Sequence, residues 1–184
     1  MRLYLIRHPR PLVAPDVCYG RTDLTVAQEE IAAVRTALLP HLPHRAPLFT
    51  SPLQRCTELS ASLAQQLDCI TIRHDQRLAE MHFGDWEMQT WEQIPRPDIE
   101  AWSQDLAGYR PGGGESVLEV AQRVRDFRDD LAGMELEHAI IVCHAGIIRL
   151  LMACEQSLSV AEMALHAAQK PHKIGYGELL IIDC

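Results

Sequence analysis

Four residues at the ends of apolar runs carry the chemistry in this sequence: Arg7 and His8, Arg55, and His144. Arg7-His8 closes the short strand-like run Arg2 to Ile6, and Pro9 behind it forbids an ordinary strand continuation. Arg55 comes shortly after Leu48-Phe49-Thr50, and His144 shortly after the continuous apolar run Ala139 to Val142. Two guanidiniums and two imidazoles gathered at strand ends, beside helix N-termini, suit a tetrahedral oxyanion such as phosphate. The planar guanidinium fork holds two oxygens and stays charged at every working pH. A neutral imidazole can also attack phosphorus directly, since it needs no deprotonation, and water can cleave the phosphoramidate that forms. This chemistry wants a carboxylic acid to protonate a leaving alcohol and then activate water. Glu80 is the first choice for that work and Glu87 the second.

Local patterns predict the elements that must position these groups. Thr25-Val26-Ala27-Gln28 reads as a capping box opening a helix with the stripe Ile31, Val34, Leu38 and Leu39, ended near Pro40. Ser51-Pro52 predicts a second helix start, with Ser51 as N-cap and Pro52 at the first helical position. Arg55 then falls in the first turn, and Leu59, Leu63 and Leu67 share one face as far as about Asp68. Ile70 to Ile72 reads as a third strand. Residues 77–91 lack a clean period and read as a structured loop leading into a short helix near Trp91, after which Pro95 and Pro97 break the chain. Pro111-Gly112-Gly113-Gly114 is expected to be a mobile rim or hinge. Ser116 to Glu119 forms a capping box for a long helix carrying Val117, Val120, Val124, Phe127 and Leu131. A helix from Ile147 to about Cys154, another opened by Ser159-Val160-Ala161-Glu162, and an edge strand from Glu178 to Ile182 complete the chain.

Strands alternating with crossover-length helices predict an α/β fold, a three-layer sandwich with a mainly parallel central sheet. The C-terminal ends of its strands lie on one edge, where ligands bind. One domain over residues 1–184 is expected, with a small cap-like insertion around 80–115.

The composition narrows the partners. With 17 basic against 25 acidic residues the formal charge is −8, so the whole-molecule field repels nucleic acid and anionic membranes, and attraction for an anion must be local. No apolar run approaches bilayer-spanning length, and Leu3 to Ile6 is too short for a signal-peptide core. The six scattered cysteines include no Cys-x-x-Cys pair, which fits reduced thiols of a cytoplasmic protein. His41/His44 and His166/His172 match no strong metal-ligand pattern and read as surface or helix-end residues. Cys143 reads as a buried small hydrophobe, because no glycine-rich cradle with a following arginine accompanies it. Trp86, Trp91 and Trp102 read first as packing and second as a wall for an aromatic ligand.

Five segments, in order over nearly the whole chain, resemble the histidine phosphatase superfamily, the phosphoglycerate-mutase-like group. They are Leu5-Ile6-Arg7-His8, Ser51-Pro52-Leu53-Gln54-Arg55-Cys56, the stretch Leu78 to Glu87, Gly113-Gly114-Glu115-Ser116, and Val142-Cys143-His144-Ala145-Gly146. The resemblance implies a phosphoglycerate-mutase-like fold, His8 as the residue that becomes phosphohistidine, Arg7, Arg55 and His144 as holders of the phosphoryl group, Glu80 as proton donor, and no metal or other cofactor. It also puts forward Tyr19, Gly20, Arg21, Ala145 and Gly146 as substrate contacts. Within the superfamily, Cys18 to Leu24 looks most like α-ribazole phosphatase, which implies hydrolysis of a small phosphorylated metabolite in cobalamin synthesis. A mutase, a phosphatase for another metabolite, and a non-catalytic phospho-ligand binder are the alternatives. The chain departs from the family at Pro9-Arg10, where glycine and then an acidic or hydroxyl residue are usual. Proline fixes φ near −65° and removes an N–H.

Overall fold

The computed structural model describes residues 1–69, 71–169 and 173–184. Its centre is a five-stranded sheet in the order β3-β2-β4-β1-β5. These strands are β1 (Arg2–Arg7), β2 (Leu48–Thr50), β3 (Ile72–His74), β4 (His138–Cys143) and β5 (Leu179–Asp183). The first four are parallel, and β5 runs antiparallel along the free side of β1.

The alternation of side chains along the two central strands builds two cores. Leu3, Leu5, Ala139, Ile141 and Cys143 point to one face, where α4 (Val117–Ala132), α5 (Ala145–Cys154) and α6 (Val160–Gln169) pack. Tyr4, Ile6, Ile140 and Val142 point to the other, under α1 (Gln28–Leu38) and α2 (Gln54–Leu67). This is the expected three-layer α/β sandwich. Among the described residues no helix is long and apolar enough to cross a membrane.

The chain leaves β1 towards α1 on one face and leaves β4 towards α5 on the other, although the two strands are neighbours. That divergence opens a crevice at their C-terminal ends, the place where open α/β sheets bind ligands. The sheet register brings the chemical groups to it. Arg7 pairs with Cys143, His8 N–H donates to Cys143 O at 3.0 Å, and Ser51 N–H donates to Val142 O at 2.9 Å.

Several local expectations shift. α1 starts at Gln28 after Ala27, with no side-chain cap from Thr25, and Glu29 and Glu30 complement its N-terminal dipole instead. α2 starts at Gln54, two residues beyond the predicted Pro52, because Asp23 Oδ1 from a distant loop accepts Gln54 N–H at 2.6 Å. β3 begins at Ile72 where the sequence suggests that it ends; Ile70 lies outside the described residues. There is a short 3-10 turn at Gly84–Trp86 rather than a helix near Trp91, and α3 (Arg96–Gln104) forms in the stretch read as broken by Pro95 and Pro97. Proline in the first helical turn costs nothing, since that N–H has no intrahelical partner. The Ser116–Glu119 capping box is present with both reciprocal bonds. Gly112 and Gly114 pack backbone to backbone on residues 82–86, where a Cβ at Gly114 would come within 2.1 Å of His82 O. His41 and His44 are exposed, His166 is half-buried on α6, and His172 lies outside the described residues.

Candidate active site

His8 emerges directly from β1 and is 2% exposed. Its Nδ1 lies 2.7 Å from the carbonyl of Pro9. A carbonyl can only accept, so the ring proton is assigned to Nδ1 and Nε2 keeps its lone pair. Burial, then the Arg55 charge, hold the imidazole well below its usual pKa, the Pro9 contact opposing them, so the ring is neutral at pH 7. Proline at position 9 therefore supplies the carbonyl oxygen that holds the His8 Nδ1 proton, an atom that every residue type possesses.

The three residues expected beside His8 arrive from three directions. Arg7 donates from Nη1 to Ile174 O at 2.6 Å and stacks its guanidinium 3.8 Å from the centre of the Tyr176 ring. Arg55 is fully buried and spends both Nη groups on the loop before α1, donating to Thr22 O at 2.8 Å and Gly20 O at 2.5 Å. His144 forms the N-cap position of α5, its ring centre 5.0 Å from that of His8, and its Nε2 meets Ser51 Oγ at 2.8 Å. Burial and Arg55 keep it neutral as well. Arg7 Nε, Arg55 Nε and His144 Nδ1 are buried with no hydrogen-bond partner among the described residues. Buried polar groups are rarely left so. An oxyanion is the ligand that would satisfy such a set.

The two candidate carboxylates differ sharply. Glu80 is half-buried, accepts Met81 N–H at 3.0 Å, and lines a cavity of about 370 Å³ together with Arg7 and His8. Its carboxylate rests on Gly146, where a Cβ would lie 2.8 Å from Oε1. Glu87 accepts the N–H groups of Arg21 at 2.9 Å, Thr22 at 2.5 Å and Phe83 at 2.9 Å, and the Thr22 hydroxyl. These bonds outweigh its burial and lower its pKa. It is a clamp with no lone pair left for proton transfer.

Of the proposed substrate contacts, Tyr19, Ala145 and Gly146 line the cavity. Gly20 is buried against the Met81 carbonyl, and Arg21 is exposed, its backbone tied to Glu87. Arg55 and His144 are fully buried and do not line the cavity. The remaining wall is apolar and partly aromatic, made by Met81, Phe83, Trp91, Trp102 and Leu106 and by residues of α4, α5 and α6. Trp91 lies parallel to Trp102 at 6.4 Å, which makes the tryptophans wall as well as packing. Arg149, from α5, adds a half-buried guanidinium.

Sequence reasoning missed Tyr176, whose hydroxyl pairs with that of Tyr19 at 2.7 Å. The only signal is Gly175-Tyr176-Gly177 just before the last strand. Its relevance depends on β5 being antiparallel, which brings the start of that strand, Leu179, beside Ile6 at the ligand edge.

Known proteins resemble this chain in sequence and in fold. The family model described as histidine phosphatase superfamily (branch 1) matches residues 3–173. A glucosyl-3-phosphoglycerate phosphatase of Mycobacterium tuberculosis is 33% identical over 155 residues, 77% of this chain and 64% of that protein. The chain thus spans less than two thirds of that relative's length. An adenosylcobalamin/α-ribazole phosphatase of Salmonella typhimurium is 30% identical over 160 residues, 83% of this chain and 78% of that one. The crystal structure of the α-ribazole phosphatase from Shigella flexneri superimposes with a TM-score of 0.82 at 26% identity, covering 100% of this chain and 90% of the other. On the match of its family model, this chain belongs to the histidine phosphatase superfamily, branch 1.

Proposed function

We propose that the protein is a phosphomonoesterase working through a phosphohistidine at His8. The observation that carries this reading is the His8 ring, neutral and with Nδ1–H held by Pro9 O, beside the Arg7 and Arg55 guanidiniums. Nε2 attacks the phosphorus of the monoester while Arg7, Arg55 and His144 Nδ1 neutralise and hold the three phosphoryl oxygens. Glu80 gives its proton to the departing alkoxide, so the P–O bond breaks as the P–N bond forms. The resulting carboxylate takes a proton from water, whose oxygen displaces His8 and releases inorganic phosphate. Each step is positioning plus charge neutralisation, which suits a dissociative transition state.

The substrate we assign is α-ribazole 5′-phosphate. The cavity beside His8 is walled chiefly by apolar and aromatic side chains, Trp91, Trp102 and Phe83 among them. Such a wall favours a flat, apolar base over the hydroxyl-rich glucosyl group or the zwitterion of phosphoserine, whose polar groups would lose hydration there. Purified protein in chelator should release phosphate from α-ribazole 5′-phosphate with a higher kcat/KM than from glucosyl-3-phosphoglycerate or phosphoserine, and His8→Ala should abolish it. A preference for either rival refutes the substrate. Turnover undiminished in His8→Ala refutes the mechanism.

A further inference from the structure

Ser51 reads in the sequence as a helix cap, and the fold gives it a second partner. Its Oγ accepts Leu53 N–H at 3.3 Å and lies 2.8 Å from His144 Nε2. Ser51 and His144 are both fully buried, so their polar contacts must be met within the protein. With one lone pair of Oγ committed to Leu53, the hydroxyl proton needs an acceptor. An imidazole nitrogen is a far stronger one than the neighbouring sulfur of Cys56, which sits 3.6 Å from the same Nε2 and whose S–H is directed to Cys143 O at 3.7 Å. Burial pushes the Cys56 thiol up to about 12, so it too remains a donor. The Ser51 hydroxyl is thus the donor at Nε2, and a neutral ring that accepts at Nε2 carries its proton on Nδ1.

We propose that Ser51 is a positioning residue that fixes His144 in the Nδ1–H tautomer, so that the ring presents a donor to a phosphoryl oxygen. The opposite tautomer would aim a lone pair at the oxyanion. The inference rests on the reading of His144 as a phosphoryl ligand, and it accounts for His144 Nδ1 being buried without a partner among the described residues. The hydroxyl sets the proton on Nδ1, two bonds across the ring from the Nε2 that it touches, and contacts no substrate itself.

The test is a two-bond 1H–15N correlation spectrum of protein labelled in its histidines, at neutral pH, with and without inorganic phosphate. The His144 signals are assigned by their loss in His144→Gln. The expected result is an Nδ1–H pattern in the unmodified protein, with the Nδ1 resonance moving on phosphate addition. In Ser51→Ala the pattern should become mixed or Nε2–H, and the inhibition constant of inorganic phosphate should rise about tenfold, the worth of one hydrogen bond to a charged group. An Nε2–H pattern in the unmodified protein that still binds phosphate overturns the role of Ser51 alone, as does an unchanged tautomer in Ser51→Ala. An Nδ1–H pattern that phosphate leaves undisturbed overturns His144 as a phosphoryl ligand, and with it the purpose assigned to Ser51. The spectrum of the unmodified protein decides even if Ser51→Ala does not fold.

Discussion

Adding one methyl group at Gly146 should make the protein more stable and a slower enzyme at the same time. Gly146 occupies the second position of α5, and a Cβ there would lie 2.8 Å from Glu80 Oε1, against an ordinary contact of 3.4 Å or more. The carboxylate is the end of a flexible side chain, so it yields by about 0.6 Å, at the expense of the 3.0 Å bond it accepts from Met81 N–H. Misplacing a catalytic group by about 1 Å costs on the order of 100-fold, so a shift of this size should cost roughly tenfold in kcat/KM, which reports phosphoryl transfer to His8 and not the later hydrolysis that all esters share. The loss should appear with an alkyl phosphate, whose leaving alkoxide needs the proton. It should nearly vanish with p-nitrophenyl phosphate, whose leaving group needs none. Replacing a helical glycine by alanine meanwhile stabilises by about 0.5–1 kcal/mol, or about 1–4 °C in Tm for a chain of this size. Steady-state kinetics on the two esters and a thermal scan of Gly146→Ala test all three parts. Equal losses on both esters would refute Glu80 as the proton donor, and a lowered Tm would show that the methyl strains the backbone rather than displacing Glu80.

The other predictions use the same groups. His8 and His144 both titrate below the ordinary imidazole value of 6.5 when folded, through burial first and Arg55 second. As pH falls below that value the unfolded chain takes up protons that the folded one refuses, so stability should decline by up to about 1.4 kcal/mol per pH unit for each residue. His8→Gln should remove its share of that slope in urea melts between pH 7 and pH 5; an identical slope would refute the assignment. Glu87→Gln turns an amide N–H2 towards backbone donors and should destabilise by about 1–3 kcal/mol, whereas Glu80→Gln should lower kcat with Tm nearly unchanged. Finding the two phenotypes exchanged would reverse their assignments.

The groups to which the proposed chemistry is assigned were legible because each follows a local signal. Arg7-His8 closes an apolar run, Arg55 lies in the first turn of a helix, and His144 follows a strand buried on both faces. The Ser116–Glu119 capping box is legible for the same reason, since both of its bonds lie within four residues. Thr25 and Ser51 mislead because a hydroxyl before a helix caps it only if nothing else competes. Ala27 precedes α1 without a cap, and at α2 the first N–H is taken by Asp23 while Ser51 faces His144.

Sequence alone thus determined the order of the strands and of the helices packed on the sheet, though not α3, together with the layer count and the set of charged groups, since periodicity, caps and apolar runs act over a few residues. Tertiary structure decided what those groups touch. It separated Glu80 from Glu87, which are alike in type and close in sequence, by placing one on Gly146 beside His8 and closing the other around residues 21–22 and 83. It also brought Tyr176 over Arg7 through an antiparallel last strand. Proton position and reach depend on contacts between residues 66 to 169 apart in the chain, as in Arg21–Glu87, Glu80–Gly146, Ser51–His144 and Arg7–Tyr176, and these exist only after the sheet has been assembled.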